Sequence, residues 1–137
     1  MKHILISIAF AFILHSAVSQ DIMVKDLTCD HKVNPVGIDN PKPRFSWKLT
    51  GKGNNIMQAE YSLRVSSDPK FSKIVWQTGS VKSDESILRP YSGPALQSGQ
   101  RYYWQVRITD NKGRTSKWSD AAFFEMGLLS ESEWKAK

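Results

Sequence analysis

From residue 24 onward, apolar and polar side chains alternate in short runs, separated by clusters of Gly, Pro, Asn and Asp. A period of two marks a strand with one buried face. Residues 24–29, 44–49, 58–66, 74–78, 86–89, 101–109 and 122–126 read as strands on this basis. Phe45, Trp47 and Leu49 share one face, and so do Ala59, Tyr61, Leu63 and Val65. The pattern is strongest over 101–109, where Tyr102, Trp104, Val106 and Ile108 fall on one side and Tyr103, Gln105, Arg107 and Thr109 on the other. The stretch 34–43 reads as irregular connection, because Pro35, Pro41 and Pro43 interrupt any ladder. No segment of this region keeps a 3.6-residue apolar period over three turns.

Seven short strands, each with one apolar face, predict an all-β fold of two packed antiparallel sheets. The spacing suits a seven-stranded β-sandwich of the fibronectin type III or immunoglobulin-like kind, with a small barrel as the alternative. Leu96, Gly99 and Tyr102 sharpen the choice. A Leu six residues before a Tyr, with a Gly turn between, is the pattern of a structural corner in which the Tyr hydroxyl bonds backbone.

The start of the chain follows a different rule. Met1-Lys2-His3 is basic, 4–14 is an apolar run, and Ala17 and Ser19 are small residues at peptidase-site spacing. Residues 1–19 read as a secretory signal peptide helix, cut after Ser19. Those eleven residues, broken only by Ser7, rise only ~16 Å as a helix, too little for a bilayer core of ~30 Å. The expected organisation is a leader at 1–19, a sandwich at 20–127 and a linker at 128–137. Export to the periplasm or beyond is expected, with no membrane attachment after cleavage.

Composition narrows the chemistry. The 137 residues make one domain, and removal of Lys2 with the leader takes the formal net charge from +6 to +5. One cysteine excludes an internal disulfide scaffold and any multi-cysteine zinc site. Cys29 and His31 would point the same way if extended, but they lack further ligands or an orienting third group. No metal or cofactor is expected. Cys29 itself reads as an inert buried thiol.

Several strings resemble the N-terminal domain of bacterial α-L-rhamnosidases of glycoside hydrolase family 78. These are Asn34-Pro35-Val36-Gly37-Ile38-Asp39, Pro43-Arg44-Phe45-Ser46-Trp47 and Ile74-Val75-Trp76-Gln77-Thr78-Gly79-Ser80-Val81-Lys82-Ser83-Asp84. Further along come Tyr91-Ser92-Gly93-Pro94-Ala95-Leu96, Gly99-Gln100-Arg101-Tyr102-Tyr103-Trp104-Gln105-Val106-Arg107, Ser116-Lys117-Trp118-Ser119 and Phe124-Glu125-Met126-Gly127-Leu128-Leu129. The resemblance runs from about residue 24 to the end, and the tail 133–137 resembles the junction into that family's next sandwich. It implies a non-catalytic accessory module that packs against following domains, truncated before a downstream α/α-barrel that would cleave terminal α-L-rhamnose. A free-standing carbohydrate-binding module is the alternative, and a small hydrolase the third reading.

Inverting hydrolysis needs an acid and a base roughly 6.5–9.5 Å apart across a sugar-sized cleft. Asp84, Glu85, Asp110, Asp120, Glu131 and Glu133 all fall in predicted turns or the tail and read as solvated loop acids, so no catalytic residue is assigned. Arg101, Arg107, Lys112, Arg114 and Lys117 lie near Tyr103 and Trp118, an interleaving that single-stranded nucleic acid can use. In an exported chain of modest charge, stacking of basic stems on the Trp118 ring is the better reading, and nucleic acid is not an expected partner. Tyr103, Trp76 and Trp118 are the candidate carbohydrate or domain-interface contacts. Aromatic rings bury the apolar face of a pyranose well, but burial by an adjoining domain is favoured for them.

Overall fold

In a computed structural model, the residues described are Val18, Ser19 and 21–134. The expected leader therefore lies almost wholly outside them. Two sheets hold all the strands among the described residues. β1 (Ile22–Cys29), β3 (Arg44–Gly51) and β7 (Arg89–Pro90) form one in the order β1-β3-β7. The other contains β2 (Val36–Ile38), β4 (Gln58–Ser66), β5 (Ile74–Gln77), β6 (Val81–Lys82), β8 (Arg101–Asp110) and β9 (Ala122–Met126). Its order is β2-β9-β8-β4-β5, with β6 also on β4.

The alternation seen in the sequence buries Phe45, Trp47, Tyr61, Leu63, Tyr102, Trp104 and Val106 between the layers. Phe45 bridges the two sheets, with its ring centroid 4.6 Å from Trp104 and 5.7 Å from Phe124. Trp47 and Tyr61 meet at 5.1 Å. Full burial of one such ring stabilises by roughly 1.5–3 kcal/mol, so this aromatic seam adds to the cohesion that the aliphatic side chains of the same core supply.

Four expectations are corrected. The 34–43 stretch is not wholly irregular: β2 pairs in parallel with β9 as the last strand of its sheet, an edge position where neighbouring prolines cost little. The predicted strand 86–89 survives only as Arg89–Pro90. Leu88 there has φ 54°, and its amide donates to the Ser46 hydroxyl instead of to a ladder carbonyl. Ala59 faces solvent, because the register of β4 on β8 shifts between Gln58 and Glu60. That bulge turns Gln58 inward. Asp110 is no loop acid: it closes β8 and is 1% exposed.

The chain crosses between sheets immediately after β1. Asp30 and His31 adopt positive φ, which reverses the backbone after Cys29. Asp30 holds the crossing by accepting from the Arg44 amide at 3.1 Å and the Asn40 amide group at 3.3 Å. Because of this turn Cys29 is buried and His31 exposed, so the two do not share a face.

Candidate functional site

The outer face of the larger sheet carries most of the candidate residues. β9 covers β8 only from Arg101 to Trp104. Beyond that, residues 116–119 complete the edge. The amides of Ser116 and Ser119 donate to the Ile108 and Val106 carbonyls at 2.8 Å. Their hydroxyls accept from the Ile108 and Val106 amides at 3.0 Å. Serine at both positions thus satisfies buried strand amides that a missing ladder would leave unpaired.

This arrangement lays Trp118 across the sheet. The guanidinium carbons of Arg64 and Arg107 sit 4.1 and 4.6 Å from its ring centroid. Gln105 accepts from Arg64 Nε and Nη2 at 3.0 and 2.7 Å, and its own amide donates to the Ser119 carbonyl. Burial, then the neighbouring charge of Arg107, lowers the Arg64 pKa, though a guanidinium stays protonated. Farther along the same face Arg101 lies 4.1 Å from the Phe123 centroid and pairs with Glu125 at 3.0 Å. The Trp118 ring is therefore committed to intramolecular stacking. Arg64 is not among the basic residues that lie near Tyr103 and Trp118 in sequence; its outward position on β4 is the signal that points to it.

Tyr103 lies on this face too, half-buried, with Ser66 and Phe123 as its strand neighbours. Trp76 does not join it. Trp76 pairs with Val65 on the inward face of β4, and its ring meets Tyr91 edge-on at 4.9 Å. Gly93 fits beneath it: a Cβ there would stand 2.6 Å from Trp76 Cβ and 2.5 Å from the Tyr91 oxygen. The three aromatics thus form no common platform. At the corner, the Tyr102 hydroxyl accepts from the Gln97 amide at 2.9 Å, Leu96 is buried, and Gly99 takes φ 71°.

The carboxylates are dispersed. Glu85 pairs with Arg89, Asp110 with Arg114, and Glu133 lies in the terminal turn. Burial alone would raise the Asp110 pKa, but the Arg114 and Lys112 amides and the Arg114 guanidinium overturn this and hold it below the usual carboxylate range. A general acid needs the opposite shift. A groove of about 360 Å³ runs between β1 and residues 117–120, and Asp120 is its one carboxylate. A depression of about 190 Å³ on the outer sheet face holds Glu60 alone. Neither supplies the acid and base that inversion requires.

The family model described as Rha78A-like, N-terminal immunoglobulin domain matches residues 24–130. The chain belongs to that family. An α-L-rhamnosidase of Streptomyces avermitilis is 36% identical over 118 residues, which is 85% of this chain and 12% of that protein. One from Alteromonas sp. (strain LOR) is 33% identical over 126 residues, 89% of this chain and 14% of that protein. Among solved structures, the Streptomyces avermitilis enzyme complexed with L-rhamnose superposes with a TM-score of 0.80 at 36% identity, over 85% of this chain and 12% of that one. The α-L-rhamnosidase from Dictyoglumus thermophilum gives 0.79 at 39% identity, over 84% and 13%. This immunoglobulin-like domain accordingly spans about an eighth of the length of the relatives it matches.

Proposed function

We propose that the chain is a non-catalytic accessory module of an exported α-L-rhamnosidase-like hydrolase, and that it packs against and positions the domains that follow. The observation that carries this reading is the match itself: nearly all of this chain corresponds to 12–14% of each relative. Dispersed carboxylates and single-acid concavities support it, because hydrolysis then belongs to the remaining part of the longer protein. The leader pattern at 1–19 supports export to the periplasm or beyond, and no described helix is long and apolar enough to cross a membrane. Residues 20–127 are the module and 128–137 the connection to its neighbour.

The test has two arms. The purified chain is incubated with an aryl α-L-rhamnoside and titrated with rhamnose-containing oligosaccharides. It is then mixed with an α-L-rhamnosidase from which the matching domain has been deleted. The expected result is no aryl release, no saturable sugar binding and a rise in the thermal stability of the deleted enzyme. Aryl release by the chain alone, or saturable binding without stabilisation, overturns the reading.

A further inference from the structure

The segment after β9 reads from sequence as a linker, yet it is fastened to the sandwich at successive points. The Gly127 amide donates to the Ile38 carbonyl at 2.7 Å, and the Gly99 amide donates to the Gly127 carbonyl at 3.2 Å. Gly127 lies so close to Gly37 that an added Cβ would stand 3.2 Å from its carbonyl carbon and oxygen. Leu129 then packs on the core. Its amide donates to the Ser98 hydroxyl at 3.0 Å and to Glu133 Oε2 at 3.1 Å.

Ser98 and Glu133 close the arrangement. The Ser98 hydroxyl donates to Glu133 Oε2 at 2.7 Å, across 35 residues of sequence. The same oxygen accepts from the Ser130 amide at 3.2 Å, just before the one-turn helix α1 (Glu131–Trp134). Glu133 thus makes the acid's half of a capping box, reaching back to the Ser130 amide, and it also reaches a loop of the body. The Ser98 bond, ahead of the backbone amides, holds its carboxyl below the usual range and therefore ionised. Past this point Trp134 stands 69% exposed.

We propose that Ser98 and Glu133 form a latch that holds residues 127–134 against the tyrosine-corner end of the sandwich, so that the chain leaves as a fixed strut with Trp134 presented outward. A flexible tether would let a following domain tumble; a latched strut sets its direction and hands it an aromatic anchor. This deepens the positioning role proposed above by naming the residues that impose the geometry.

Amide hydrogen exchange on the full 137-residue chain tests it. Leu129 and Ser130 are expected to be protected in the unsubstituted chain. Ser98→Ala and Glu133→Ala should each speed their exchange roughly tenfold, as loss of a charge-assisted hydrogen bond implies. Combining the two should add little, since both break one latch. Ser98→Thr should restore protection, while the Val106 and Ile108 amides report an unchanged fold throughout. Exchange at the unstructured rate in the unsubstituted chain, or undiminished protection in both alanine variants, overturns the latch. Either result leaves the accessory role standing, because a module can also be joined by a loose connection; that role fails only on the assays given for it.

Discussion

The indole nitrogen of Trp47 donates to the side-chain oxygen of Gln58 at 2.9 Å, with both residues buried between the sheets. The bulge that exposes Ala59 is what points Gln58 inward. Its amide nitrogen then donates to the Ser83 and Glu85 carbonyls at 3.0 Å. One glutamine therefore ties β3, β4 and the loop after β6 together. Gln58→Ala leaves a buried indole donor and two carbonyls unpaired, and is expected to cost at least about 1–3 kcal/mol. Urea denaturation followed by fluorescence measures it; an unchanged midpoint would show that water replaces the amide without loss.

Substitution at Gly93 tests the wedge of Trp76 and Tyr91. The nearest atoms to an added Cβ include Trp76 Cβ, which cannot swing away as a side-chain tip could. Gly93→Ala is expected to destabilise by roughly 1–3 kcal/mol through overpacking, and to alter the Trp76 environment in near-UV circular dichroism. A variant as stable as the parent would mean that the 91–94 loop shifts freely.

Much of this architecture was legible because alternation needs no knowledge of the partner strand. Tyr102, Trp104, Val106 and Ile108 had to face one way, and all four are buried. What escaped depended on distant partners. β2 is three residues long beside a proline, and its mate β9 lies far downstream, so no local pattern announces it. The inward turn of Gln58 follows from a register slip against β8, which alternation alone cannot reveal. On the outer face, a cationic cover for Trp118 could be read from the neighbouring arginines. Arg64 comes from a separate strand and enters only once β4 and β8 are paired. Trp76 shows the limit most clearly, since a four-residue strand carries too little pattern to tell an outward ring from an inward one.

Acid stability follows from Asp110. Oδ2 meets Arg114 Nε at 2.7 Å, while Oδ1 accepts from the Lys112 and Arg114 amides at 3.0 and 2.8 Å. The folded-state pKa is depressed, so the contribution is present above the unfolded value of about 3.9 and is lost as pH falls through the lower folded value. Asp110→Asn keeps an oxygen for the loop amides but loses the ion pair. It is expected to lower stability at neutral pH by about 2 kcal/mol and to flatten the acid limb of a stability–pH curve. An identical acid limb in the variant would assign that limb to other carboxylates.

Cys29 is 1% exposed. Burial, reinforced by the Asp30 charge, pushes its thiol pKa well above the usual range. The thiolate is the reactive form, so the native chain is expected to resist a disulfide-exchange reagent at neutral pH and to react promptly in denaturant. Fast labelling of the native chain would contradict the burial and reveal opening of the β1 edge.

The parallel pairing of β2 with β9 bears on how the molecule carries mechanical load. β2 follows β1 in the chain, and β9 is the last strand. Once β1 has been drawn off β3, tension between the ends pulls β2 and β9 along their common axis in opposite directions. The bonds from Glu125 to Pro35 and from Gly127 to Ile38 are then strained together rather than torn one by one. Stretching single molecules between their termini should accordingly show a resistance that Gly127→Pro, which deletes the second bond's donor, reduces.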